Sequence, residues 1–331
     1  KTPRRPGVGS IYFKEGKTLH SIWKRTIVMV LVIGLALSSI ACTTDSGTKN
    51  DDGLQITDQL GRTVVFDEIP ERIISISPAN TEILFALDLG DKIIGVTNYC
   101  NYPEETADKE KVGGFSTPDI EKIIALNPDV IFAAPIHEAE IIPQLENLGL
   151  TVVALTPATI EETYDAIELA GIVTGVQDTA DSLIEDMRSS VDVVSGLVAN
   201  LSDQEKPNVF YIVWHDPLMT AGGDTLPGQL IELAGGNNMF ANESDYPTVS
   251  IESLLFGEPQ VIIAGSGHGS GASASLVWAQ TESRLQGTEA LVNGMVFEIS
   301  SDLTSRFGPR IVDGLYEMFE LIHPELADEL E

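Results

Sequence analysis

Two glutamates, four aromatic residues and an Asp/Arg pair are the side chains of this sequence whose types and positions could do chemistry. Glu121 lies in the first turn of a helical pattern that begins after Thr117-Pro118, and Glu252 lies in the first turn of one that begins after Ser250. An acid in a first turn offsets the helix dipole, worth about 0.3–1 kcal/mol. Placed alike in two halves of a chain, the pair also suits a docking surface, because arginine–carboxylate contacts fix orientation as well as attract. Tyr99, Phe115, Trp214 and Tyr246 fall in loops at strand ends, two in each half. Such rings supply the flat apolar area that a large planar ligand buries, and Trp214 equally fits a core position beneath its loop. Asp302 and Arg306 are four residues apart, the spacing of a helix-surface ion pair worth about 0.3–0.5 kcal/mol. His137, His215 and His268 are scattered, with no i, i+4 pair and no neighbouring cysteine, so no dedicated metal site is predicted. His215, beside Trp214, is either an ordinary hydrogen-bonding histidine or one that approaches a bound metal centre. The glycine-rich run Gly265 to Gly271 lacks the Gly-Lys-Ser/Thr ending of a phosphate loop and reads as a cleft-edge loop.

These residues need elements to position them. The segment Gln55 to Phe66 reads as a small hairpin around Gly61-Arg62. Candidate strands follow at Ile73–Ser77, Ile93–Thr97, Val130–Ala134 and Thr151–Thr156, each a short β-branched run closed by turn residues. Between them, Ser77-Pro78 and Thr117-Pro118 are helix starts, proline fitting the first turn, where its missing N–H costs nothing. Thr159 and Glu162 form a capping box that opens a helix to about Val173. A long helix is predicted from Thr179 to Leu201, with Ala180, Leu183, Ile184, Met187, Val191, Val194 and Val198 on one face. At 1.5 Å per residue it is about 30 Å long, enough to cross from one lobe to another. After Pro207 the alternation restarts through Val209–Trp214, Leu230–Ala234, Val261–Ala264 and Met295–Ser300, and a helix from Pro309 to Ile322 closes the chain. Alternating strands and helices predict parallel sheets covered on both faces.

The 331 residues carry 43% hydrophobic content and a net charge of -31. That suits two globular lobes and repels a phosphate backbone, so no nucleic-acid partner is expected. Seven of the 19 basic residues precede Cys42, with Glu15 as the one acid among them. The rest therefore holds 12 basic against 49 acidic residues. Basic residues up to Arg25, an apolar run Ile27–Leu37 and small residues before Ala41-Cys42 have the order of a cleaved secretion signal. The run is shorter than the roughly 20 residues of a bilayer span. Ala41-Cys42 resembles a lipobox, with Ser39 where Leu is usual, and implies lipid on Cys42. The expected divisions are a signal peptide (1–41), a lipid-anchored polar tether (42–54), an N-terminal lobe (55–176), a bridging helix (177–206) and a C-terminal lobe (207–331). Cys100 is then an unpaired thiol.

The strings IISISPANTEILFALDLGDKIIGVTNYCNYPEE, GGFSTPDIEKIIALNPDVIFA, VFYIVWHDPLMTAGG, SDYPTVSIESLL and SSDLTSRFGPRI stand in that order between Arg72 and Ile322. Together they resemble the cobalamin-binding and iron-siderophore-binding proteins of ABC importers. The resemblance implies an α/β fold of two doubly wound lobes joined by one long helix, with the ligand in the cleft between them. It implies ligand contacts at Tyr99, Phe115 and Tyr246, the last two replacing a common tryptophan, and polar contacts at Asp302 and Arg306. It also implies that Glu121 and Glu252 dock onto arginines of the importer's permease dimer, which works with ATPase subunits. The expected function is capture of a corrinoid such as cobalamin by a membrane-anchored, extracytoplasmic receptor, with no catalytic cofactor. Haem and ferric siderophores are the rival ligands. The six arginines after Cys42 are few for an anionic siderophore. A tetrapyrrole metal chelatase is the rival from another class, but nucleophile elbow, paired-histidine motif and cofactor fingerprint are all missing from the sequence.

Overall fold

The computed structural model describes residues 47–50, 53–202, 204–266 and 274–330. Cys42, its leader and His268 lie outside these residues. Strands β1 (Gly47–Asn50), β2 (Gly53–Thr57) and β3 (Thr63–Phe66) form an antiparallel sheet. The first lobe then runs β4 (Ile73–Ser75), α1 (Pro78–Ala86), β5 (Ile93–Val96), β6 (Glu110–Lys111), α2 (Ile120–Ala125), β7 (Val130–Ala133), α3 (Ile141–Asn147), β8 (Val152–Ala154) and α4 (Ile160–Thr174). Helix α5 (Gln177–Val198) leads into the second lobe. That lobe comprises β9 (Asn208–Ile212), β10 (Trp214–His215), β11 (Leu218–Met219), α6 (Leu226–Leu233), β12 (Asn237–Asn238), α7 (Ile251–Phe256), β13 (Val261–Ser266), α8 (Ala274–Thr281), α9 (Glu289–Val292), β14 (Val296–Ser300), α10 (Ser301–Thr304) and α11 (Ile311–Ile322).

Among the described residues, the first lobe's parallel sheet has the order β6-β5-β4-β7-β8 and the second's β12-β9-β13-β14. In each the chain starts in the middle, winds one way and then the other. The strand order therefore reverses between β4 and β7, and between β9 and β13. Crevices outside the carboxyl ends of strands at such reversals are where open α/β sheets bind ligands. Side chains alternate across each sheet as the twofold strand period requires. Ile73, Val130, Phe132 and Val153 face one core, whereas Ile74, Ile131, Ala133 and Val152 face Ile123 and Leu145 on the other side. In the second lobe Val209, Tyr211 and Ile263 face the first of these cores, and Phe210, Ile212 and Ile262 face a third.

The core shared by both lobes passes through α5. Its buried residues Ala180, Met187 and Val194 recur every seven positions, with Leu183, Ile184 and Val191 packed beside them. The helix begins two residues before the expected Thr179 and ends three before Leu201. The preceding helix stops at Gly175, whose φ of 74° a residue with a side chain rarely adopts. A Cβ on Gly171 would lie 2.6 Å from the Cβ of Ala180, so α4 and α5 approach closely only because position 171 is bare. Leu230–Ala234, one step of the expected alternation, forms the second half of α6 and its cap. The expected hairpin is β2–β3. Its turn is held by buried Asp58, which accepts N–H bonds from Leu60 (3.1 Å), Arg62 (3.0 Å) and Ala154 (3.0 Å), the last residue of β8.

Candidate functional site

A cleft of about 440 Å³ opens between the lobes at the carboxyl ends of the two parallel sheets. Ser77 and Asn80 after β4, Phe115 after β6, and Ala134 and Pro135 after β7 form one wall; Asp224, Asp245, Tyr246 and Phe307 form the other. Asn80 is buried and its amide donates to the Ala133 carbonyl (2.9 Å), joining the start of α1 to the end of β7. Across the cleft, the Asp224 carboxylate accepts from the Asp245 N–H (2.7 Å), with Asp245 in the left-handed region at φ 56°. Desolvation, then the Asp224 and Asp245 carboxylates, push the Tyr246 phenol above the usual tyrosine range, so it stays a neutral donor. Among the described lining residues the charged ones are Asp224 and Asp245; Lys, Arg and His are absent from the wall.

Beside the cleft the lobes are joined by ions. Arg306 donates to Glu82 (2.7 Å), Asn101 (2.8 Å) and Asp302 (2.6 Å), and Asn101 donates to Asp302 (2.8 Å). Arg310 donates twice to Glu82, at 3.0 and 2.7 Å, and its guanidinium lies 4.0 Å from the Tyr102 ring centre. Glu82 in α1 is buried, so one carboxylate of the first lobe answers two guanidinium groups of the second. The Asp302–Arg306 pair exists at its i, i+4 spacing, and Arg306 reaches beyond it to the other lobe. A larger hollow of about 720 Å³ lies against the outer side of this junction, near Phe85, Tyr102 and Asp313. Its two cations are already engaged, Arg310 by Glu82 and Lys109 by the Gly90 carbonyl at 2.7 Å, and it holds neither Phe115 nor Tyr246.

Of the four aromatic residues, Phe115 and Tyr246 come together in the cleft. Tyr99 is exposed outside its lining, and Trp214 is in the β10–β11 hairpin, its indole N–H bonded to the Asp216 carbonyl (2.8 Å). His215 stands between Trp214 and Trp278, at ring distances of 5.0 and 6.3 Å, and contacts the Ser275 hydroxyl (3.3 Å). The described residues contain no cluster of three His, Cys, Asp or Glu side chains able to hold a metal ion.

A family model described as periplasmic binding protein matches residues 73–303. The chain belongs to this periplasmic binding protein family. It is 31% identical over 285 residues to the uncharacterized ABC transporter substrate-binding lipoprotein YvrC of Bacillus subtilis, spanning 83% of this chain and 87% of that one. It is 32% identical over 256 residues to the vitamin B12-binding protein of Vibrio parahaemolyticus, spanning 77% and 90%. Among solved structures, the vitamin B12-binding protein BtuF of Vibrio cholerae aligns with a TM-score of 0.65 at 30% identity over 78% of this chain and 98% of that one. A periplasmic haem-binding protein from Pseudomonas aeruginosa aligns with 0.70 at 23% identity over 77% and 93%, a likeness of fold. As a periplasmic binding protein of an ABC transporter the chain is a binder and not an enzyme. It works outside the cytoplasm, with a permease and ATPase subunits as partners. No helix of the described residues is long and apolar enough to cross a membrane.

In this periplasmic binding protein the two first-turn glutamates sit alike. Asp119 caps α2 by accepting from the Lys122 N–H (3.1 Å), and Ser250 caps α7 by accepting from the Ser253 N–H (3.0 Å). Glu121 and Glu252 each follow the cap by two residues and are exposed. Each cap bonds one first-turn N–H, so the side-chain acceptor at these helix starts is the cap residue and not the glutamate. On the same helices Ile124 and Phe256 are exposed, Phe256 by 90%. Sequence reasoning missed Asn80, Asp224, Asp245 and Phe307 in the cleft, and Glu82 beside it. The signals for Glu82 were its place before the apolar run Ile83-Leu84-Phe85 and the four-residue spacing of Arg306 and Arg310.

Proposed function

We propose that this binding protein captures a corrinoid, such as cobalamin, in the interlobe cleft and hands it to its permease through Glu121 and Glu252. The observation that carries this reading is the character of the cleft. Phe115, Tyr246 and Phe307 offer apolar faces, Asn80 and Tyr246 offer polar groups, and two carboxylates stand where an anionic ligand would need cations. A corrin ring buries apolar area and bears neutral amides at its rim, which carboxylates and hydroxyls can accept from and donate to. Haem brings two propionates and a ferric catecholate several negative charges; either would meet Asp224 and Asp245 without compensation. The vitamin B12-binding relatives lend the same direction. The cleft is smaller than a whole corrinoid, so in this reading one face is seated and the rest remains at the open mouth. Anchoring through lipid on Cys42 is part of the proposal, in keeping with the lipoprotein relative.

Calorimetric titration with cyanocobalamin, cobinamide, haemin and a ferric hydroxamate tests it. Submicromolar corrinoid binding at one per chain, weakened by Tyr246→Ala, is the expected result. Tight haemin or hydroxamate binding with no corrinoid binding would leave the family standing and remove the ligand.

A further inference from the structure

The geometry points to His137 as the residue that positions Phe115, and thereby sets the shape of the ligand cleft from behind. His137 ends the single 3-10 turn Pro135–His137 that follows β7, and it is completely buried. Its Nδ1 accepts from the Ala134 N–H at 2.9 Å, and its Nε2 lies 2.7 Å from the Phe115 carbonyl oxygen. The first contact fixes the second. A nitrogen that accepts an N–H bears no proton, so the neutral ring carries its proton on Nε2 and donates it to Phe115. The edge-on packing of the two rings, with centres 5.4 Å apart and planes at 82°, holds the Phe115 side chain as well as its carbonyl. Both nitrogens are thereby occupied, which removes His137 from the candidate metal ligands.

His137 joins two separate loops of the same wall. Ala134 and Pro135 line the cleft after β7, and Phe115 lines it after β6. The Phe115 loop is a tight turn closed by a Gly113–Pro118 bridge and a Gly114 N–H bond to the Thr117 carbonyl (3.1 Å). Those contacts close the turn at its base, whereas the bonds from His137 fix the tip that carries Phe115. A freed Phe115 would have to be ordered by the ligand at each binding event, which weakens affinity without removing any ligand contact.

This inference rests on the reading of the interlobe cleft as the ligand site, and isosteres test it. In His137→Gln the side-chain amide reaches the place of Nε2 and can donate to the Phe115 carbonyl; in His137→Asn it reaches only the place of Nδ1. Cyanocobalamin, or whichever chelate the wild-type protein takes from the titration series, serves as probe. Loss of one such bond corresponds to about a tenfold weakening. His137→Ala and His137→Asn are expected to lose about that much, and His137→Gln to retain most of the affinity. Adding His137→Ala to Phe115→Ala should cost nothing more, because there is then no ring to position. Unfolding midpoints of all variants separate this from general damage, since a merely structural role would lower affinity and midpoint together and would not spare Gln over Asn. Wild-type affinity in His137→Ala, or additive losses with Phe115→Ala, overturns the positioning role alone. Failure of the wild-type protein to bind any chelate overturns the cleft reading beneath it.

Discussion

Replacing Glu82 by Gln should cost this protein more stability than any change to its exposed ion pairs. The Glu82 side chain is 2% exposed, and its partners Arg306 and Arg310 are 12% and 18% exposed. Glutamine keeps the shape and one acceptor but removes the charge. Arg306 retains Asp302 and Asn101, whereas Arg310 keeps the Tyr102 face and one bond at most to position 82, now to a neutral oxygen in place of a carboxylate. Leaving a buried charge without its partner typically costs about 3–5 kcal/mol. The residual exposure of both guanidiniums lets water share the burden, which places the expected loss at about 3 kcal/mol. Lys92–Glu71, at 29% and 69% exposure, is the comparison, where Glu71→Gln should cost less than about 1 kcal/mol. Urea unfolding followed by intrinsic fluorescence reads both variants. Equal losses in the two would refute the assignment of a buried interlobe charge pair.

Changing Glu121 and Glu252 together to Lys should abolish uptake in membranes containing the cognate permease while leaving ligand affinity within about twofold; parallel loss of ligand binding would place these acids in the wrong role. Burial holds the His137 pKa below its ordinary value, with the bond to the Phe115 carbonyl acting in the opposite sense. The unfolded chain therefore takes up this proton first as pH falls, so the contribution of His137 is full above about pH 6.5 and declines below it. The difference in unfolding free energy between wild type and His137→Gln, measured from pH 7.5 to 5, should shrink as pH falls; a constant difference would contradict the burial of a neutral ring. Gly171→Ala should destabilise, because a Cβ 2.6 Å from that of Ala180 brings overpacking of about 1–3 kcal/mol against about 1 kcal/mol of helix propensity gained; a higher melting temperature would show that α4 and α5 can part at no cost.

The fold was legible because its signals are local. β-Branched runs closed by turn residues, prolines at helix starts and a seven-residue apolar recurrence each act within one or two turns of chain. The Thr159 cap is an example: the Glu162 N–H donates to the Thr159 hydroxyl (3.1 Å), while the Glu162 carboxylate reaches one residue past the cap to the Ala158 N–H (2.8 Å), so the expected capping box forms in part. The candidate site was legible only where a residue type announced itself, as Phe115 and Tyr246 did in loops between elements. Trp214 carried the same signal, yet its indole N–H is used two residues away at Asp216 and the ring stays outside the cleft lining. Glu82 is hidden for the opposite reason. Its partners stand 224 and 228 residues further on, and a single glutamate in a helical stretch looks like a solvated face until the other lobe closes over it.

These long-range contacts bear on how the cleft can work. The core around Ala180, Met187 and Val194 runs through both lobes, and wide opening would have to tear packing that resists deformation. The Glu82 junction opposes the same motion from the side. A receptor built this way cannot rely on large closure to complete its site, so recognition has to be present in the walls before the ligand arrives. The parts of those walls least fixed by the sheets are the loops after β6 and β7. Asn80 ties the β7 end to α1, and His137 ties both loops to each other. Affinity in this cleft should accordingly respond more to the buried residues behind the wall than to an exposed ring such as Tyr99.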